Sequence, residues 1–208
     1  MIKFKYIILG TTALLTSSLQ LSAAANLIFP DDTTIGRISG KGAIKLSATA
    51  GISTQPRVTT TAKNAFDGGV EVDGVNLVAA DQTAFGSKPA IKFSGRGSTI
   101  ASQMDAAADL NILDKSNATL APVTVFNITS ITGSGSLIIA SGKVVAPNKP
   151  APAEATGTTT VGSSATFDLV TNGASEKSVP TGTFTLMPGS TLLLPSGKSG
   201  FARDIVLG

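Results

Sequence analysis

The chain has 208 residues, with 16 Lys plus Arg against 13 Asp plus Glu, no His, no Cys, no Trp and one Tyr. Without His or Cys it lacks the commonest general base, the thiol nucleophile and the usual zinc ligands. The net charge of +3 includes Lys3 and Lys5; without them the balance is 14 to 13, and no basic run is interleaved with aromatic stacking platforms, so no nucleic-acid partner is expected.

The segment from Met1 to Ala25 reads as a secretory signal peptide. Lys3 and Lys5 form a basic start, Tyr6 to Leu15 a short apolar run, and Ala23, Ala24 and Ala25 the small residues of a cleavage site, with cleavage expected after Ala25. The apolar run is shorter than the ~20 residues of a membrane-spanning helix. The expected location is therefore outside the cell or on its surface. An exported chain without cysteine is held by burial and backbone pairing rather than by disulfides. Residues 26–208 suffice for a single domain whose core is mostly Ile, Leu, Val and Ala, with Phe as its only large aromatic.

From there on the chain repeats one layout, a pair of aliphatic or aromatic residues two apart, with a glycine turn close by. The pairs are Ile44/Leu46, Val70/Val72, Ile91/Phe93, Leu110/Ile112, Leu137/Ile139, Phe167/Leu169, Phe184/Leu186 and Ile205/Leu207. On a strand each pair faces one side. Their segments start at Gly42, Gly68, Pro89, Ala108, Gly135, Ala165, Gly182 and Arg203, and the layout at Gly135 returns at Gly182. The mean interval between starts falls at the short end of the solenoid range, roughly 20–45 residues per repeat. The expected fold is all-β, a parallel β-helix of about eight short coils ~4.8 Å apart. An antiparallel β-sandwich is the alternative, because Val123/Val125, Phe126/Ile128 and Leu192/Leu194 bring strands closer together than one per coil.

Several local features refine this expectation. Lys45, Lys92, Thr183 and Thr185 alternate with inward residues and so face solvent, as does Lys143. Ser-Gly-Lys or Ser-Gly-Arg recurs at Ser39, Ser94, Ser141 and Ser196, where glycine allows a corner with positive φ. Residues 101–113, with Met104, Ala108, Leu110 and Leu113, also suit a short helical insertion. There Asp105 and Asp109 would share the solvent side. Residues 146–157, "APNKPAPAEATG", form a proline-rich loop that cannot be a central strand and is expected to bulge from the rod.

Chemistry is sparse. Asp67, Glu71 and Asp73 in "FDGGVEVDG" are the candidate metal ligands, since clustered carboxylates suit Ca²⁺, although the spacing matches no standard calcium loop and a solvated polar face also accounts for them. No catalytic residue and no other cofactor is expected. The Gly-Lys-Ser at residues 197–199 lacks the earlier glycine of a phosphate loop.

The signal peptide, together with "FNITSITGSGSLIIASGKVVA" and "GTFTLMPGSTLLLPSG", resembles the passenger region of bacterial autotransporters and related surface β-helix proteins. The resemblance implies a secreted, non-catalytic cell-surface protein of adhesin type, with a β-helix as spacer and contact surface. Its partners would be a host or cell-surface protein or a glycan, with self-association through open coil ends. In that family a C-terminal membrane β-barrel carries the passenger across the outer membrane. Here the sequence runs to "FARDIVLG" in mid-coil, so the expectation is a piece of a longer surface protein or an end covered by an assembly partner. A secreted carbohydrate-active β-helix enzyme, built on paired acids, and a β-sandwich subunit of a surface fibre are the other readings.

Overall fold

A strand whose inward side chains are only one pair deep cannot bury them alone; it must stack on a like strand. In a computed structural model, which describes residues 6–8, 14–15, 19–21, 25–61, 63–86, 89–196, 201 and 203–208, the chain solves this by winding into a β-solenoid of about eight turns. Every strand pairing among the described residues is parallel and joins one turn to the next. The antiparallel sandwich is thereby excluded. Turns differ in length, from a short one between Phe126 and Val144 to a long one between Ile44 and Val70.

The rod has three faces. The first stacks Ala25–Phe29, Ile44–Ala48, Val70–Asp73, Ala90–Phe93 and the second halves of Ala106–Ile112 and Val125–Thr132. The second runs from Thr33–Ile35 through Arg57–Thr60, Asn76–Ala79, Ser98–Ser102 and Asn117–Leu120. It continues through the first halves of Ser136–Val145 and Thr159–Asp168 to Phe184–Leu186 and Ile205–Leu207. The third includes Ile38–Gly40 and Ala65–Phe66 and, higher up, the remaining halves of the four long strands and Thr191–Leu193. Those long strands bend around a corner and so serve two faces each.

Inward files fill the axis. On the first face Leu27, Leu46, Val72, Phe93 and Ile112 stack one above another, all buried. On the second, Leu137 lies under Thr159 and Thr159 under Phe184, so the return of the Gly135 layout at Gly182 spans two turns. Seven of the nine phenylalanines are among the largest fully buried side chains. Phe167, Phe184 and Phe201 continue as a ring column with centroid separations of 6.2 and 5.1 Å. The Ser-Gly-Lys/Arg corners hold at three places, where Gly40, Gly95 and Gly142 all have positive φ. The glycine of the fourth, with the rest of the Gly-Lys-Ser at residues 197–199, lies outside the described residues.

The helical insertion expected over 101–113 is absent. Ser98–Ser102 and Ala106–Ile112 are strands, and the second alternates strictly, with Ala106, Ala108, Leu110 and Ile112 buried. Alanine's helix preference amounts to only a few tenths of a kcal/mol per residue. Here it yields to a ladder on both sides that extended backbone satisfies. Residues 146–157 carry no strand, as their prolines require, but the loop does not simply bulge outward. Its middle is tied to the rod by Ala151 N to Lys177 O (2.7 Å) and its later part by Thr181 N to Ala155 O (2.7 Å), with Ala146 and Ala155 fully buried. It occupies the place where the first face would have its next strand.

Lys3, Lys5, Ala23 and Ala24 of the expected signal peptide also lie outside the described residues. Within that segment Tyr6–Ile8, Leu14–Leu15 and Leu19–Leu21 pair in parallel with Ala25–Phe29, Thr33–Ile35 and Ile38–Gly40.

Each inward residue touches layers above and below, so a large truncation leaves a cavity that neighbouring coils cannot close. Phe167→Ala is expected to lower stability by about 3–5 kcal/mol, measured by urea denaturation followed by circular dichroism.

Candidate functional site

The outward side of the first face holds a cluster of ion pairs. Because the strands stack in register, an outward residue meets outward residues one turn away. Asn26, Lys45, Glu71, Lys92, Asn111 and Thr132 therefore form one file up the rod. Lys45 Nζ lies 2.9 Å from Glu71 Oε1 and 3.3 Å from Asp73 Oδ2, and Lys92 Nζ lies 2.9 Å from Glu71 Oε2. Ser94 donates its hydroxyl to Glu71 (2.7 Å).

Burial pushes the Glu71 carboxyl up, but the hydrogen bonds from Lys45, Lys92 and Ser94 outweigh it and hold the group at about 2. Burial likewise works against the Lys45 ammonium, yet Glu71 and Asp73 raise it above its ordinary value. Glu71 and Lys45 thus both stay ionised across the neutral range.

The three residues picked out as calcium ligands are thus placed as follows. Glu71 and Asp73 do share the outward side of one strand. Asp67 sits in the preceding turn, where its carboxylate accepts the Gly42 N–H at 2.5 Å. Asp73 also accepts the Arg96 N–H at 3.2 Å. A cation here would compete with Lys45 and Lys92 for the same oxygens, and among the described residues no three acidic side chains converge as a metal-binding group. Arg96 points away, donating to the carbonyls of Ile52, Ala48 and Thr49 (3.0–3.2 Å), and fastens the loop that precedes Arg57–Thr60.

Beside this file runs a second outward file whose lower members are small. Ala43, Gly69 and Ala90 leave a trough between the strands and the long side chains of Glu71 and Lys92. Higher up Asp109 and Ser130 take over the same file. The resulting groove, about 400 Å³, extends over five turns from Ala43 to Thr132. Asp109 accepts the hydroxyls of Thr129 (2.7 Å) and Ser130 (2.6 Å) rather than lying on a helix. The Asn111 side chain stands exposed in the groove with no hydrogen-bond partner among the described residues. Sequence reasoning missed Lys45 and Lys92 as partners of Glu71, although a signal existed. The steps from Gly42 to Gly68, Pro89 and Ala108, applied to Lys45, land on Glu71, Lys92 and Asn111.

Lys143 keeps a solvated side chain, 39% exposed, and its ammonium also lies 2.7 Å from Asp168, whose side chain is 2% exposed. Burial raises the Asp168 carboxyl, but Lys143, the Thr171 hydroxyl and the N–H groups of Thr171 and Val170 hold it at about 2. This pair sits at the corner after Thr159–Asp168 and belongs to the scaffold.

The chain finds no match among known protein families, curated proteins or solved structures. Its own surface is therefore what speaks to function.

Both lowered carboxyls are ionised in the fold at pH values where the unfolded chain has already taken up the proton. Their stabilisation is complete above the ordinary values of 4.5 and 3.8 and is lost as pH falls through about 2. Thermal melts between pH 6 and pH 2 should show Tm falling through that window. The fall should be shallower in Glu71→Gln and in Asp168→Asn.

Proposed function

We propose that the chain is a secreted, non-catalytic cell-surface protein in which the β-solenoid serves as spacer and its outward files as contact surface. The observation that carries this reading is the division of labour along every strand. The inward files form one continuous core, so outward positions can vary without cost to the fold. A rod on the order of 40 Å long then presents side chains at fixed spacing on three sides. The leader-like N-terminus and the likeness of the Gly-Ser-Thr-aliphatic coils to autotransporter passengers support placing that rod outside the cell.

A carbohydrate-active enzyme is the second reading, favoured by the gathering of acids and bases on one face. The state of Glu71 supports recognition over acid catalysis. A general acid needs a raised carboxyl, whereas two lysines and a serine keep Glu71 low.

Expressed from Met1 in a bacterium with an outer membrane, the protein should be exported, and its mature N-terminus should read Asn26 on Edman sequencing. Protease added to intact cells should digest it. Recovery from the cytosol with residues 1–25 intact would overturn the surface reading.

A further inference from the structure

The proposed contact surface has one part shaped to take a particular ligand, the groove on the first face. At about 400 Å³ it falls within the size of small-molecule sites, yet it is long and shallow rather than a pit. Its floor is made by Ala43, Gly69 and Ala90. Gly69 cannot carry a larger side chain, because a Cβ there would strike the Ala90 carbonyl. The trough is therefore built into the packing of successive turns.

We propose that this groove binds a linear, neutral polysaccharide, one sugar unit per turn of the solenoid, an inference that rests on the contact-surface reading above. Three features select that occupant. The first is repeat. Turns advance by ~4.8 Å, close to the advance per unit of an extended pyranose chain, so successive sugars fall beside successive rungs.

The second is charge balance. The charged groups that line the groove are already answered, Lys92 by Glu71 and Asp109 by the hydroxyls of Thr129 and Ser130. A polyanion or polycation gains nothing from such a surface, whereas hydroxyl groups find both donors and acceptors. The third is Asn111, exposed and unpartnered in mid-groove, whose amide offers two N–H groups and a carbonyl oxygen. Lys92 beside it supplies an ammonium already oriented by Glu71. Because the ion pair with Glu71 orients Lys92 before binding, little of that side chain's freedom is lost when the ligand arrives. Without an aromatic platform, specificity comes from hydrogen bonds alone.

The test is titration calorimetry of the folded full chain with cellohexaose and with chitohexaose. Saturable binding to at least one, insensitive to salt between low and physiological ionic strength, is expected. Ala90→Leu, which fills the floor, should abolish it, and Asn111→Ala, at an exposed position with no partner to lose, should weaken it at least tenfold. Thr185→Ala on the second face should leave it unchanged. Circular dichroism establishes that each variant is folded. No binding by the folded wild type, or binding that survives both groove substitutions, overturns the assignment. Export without oligosaccharide binding sinks only the groove assignment. Groove-dependent binding by a chain that stays in the cytosol sinks only the surface reading.

Discussion

Everything in this protein depends on the parallel, in-register backbone ladder that joins each turn to the next. The ladder satisfies the peptide groups of strands as short as two residues, which could not persist alone. It also dictates side-chain neighbours, since a residue's main contacts lie one turn away along the chain, as Phe126 meets Val144 and Ile44 meets Val70. A core without tryptophan or disulfide is possible because inward side chains form unbroken columns rather than a cluster assembled from unrelated elements.

The same constraint that builds the core writes the surface. Outward residues stack as strictly as inward ones, so a charge on one turn is answered or opposed by the residue directly above and below. Lysine, glutamate, lysine in consecutive rungs of the first face is a stable answer; three acids in those rungs would repel. Where outward residues are instead alanine and glycine, the ladder leaves a trough. The groove and the ion-pair ladder are thus two consequences of one registration, one from what the side chains carry and one from what they lack.

Much of this is legible from the chain itself, and the limits are specific. Alternation reveals which residues point inward, and the starts at Gly42, Gly68, Pro89 and Ala108 follow the first face correctly from Ile44 to Leu110. The next step fails. Leu137 belongs to the second face, above Ala118, whereas the rung above Leu110 is Ile131. Alternation says in or out but not which of three faces, and the choice depends on corners that a strand can turn without interruption, as Ser136–Val145 does. The closely spaced Phe126/Ile128 pair is the missing third face and not a sign of antiparallel pairing. Likewise Glu71 and Asp73 are legible as neighbours on one strand. Their lysine partners, and the burial of Asp168 beside Lys143, need the register between turns, which no local pattern contains.

The four corner-turning strands have a mechanical consequence. In the lower turns each face is made by a separate short strand, so tension applied there can detach one rung while its neighbours hold. In the upper turns Ser136–Val145 and Thr159–Asp168 pair along nearly their whole length across two faces at once, so a pull must shear many interstrand hydrogen bonds together before anything yields. Each turn that gives way releases on the order of 20 residues, hence roughly 70 Å of slack chain. Under load the rod would behave as a stiff upper segment in series with a lower one that lengthens a turn at a time.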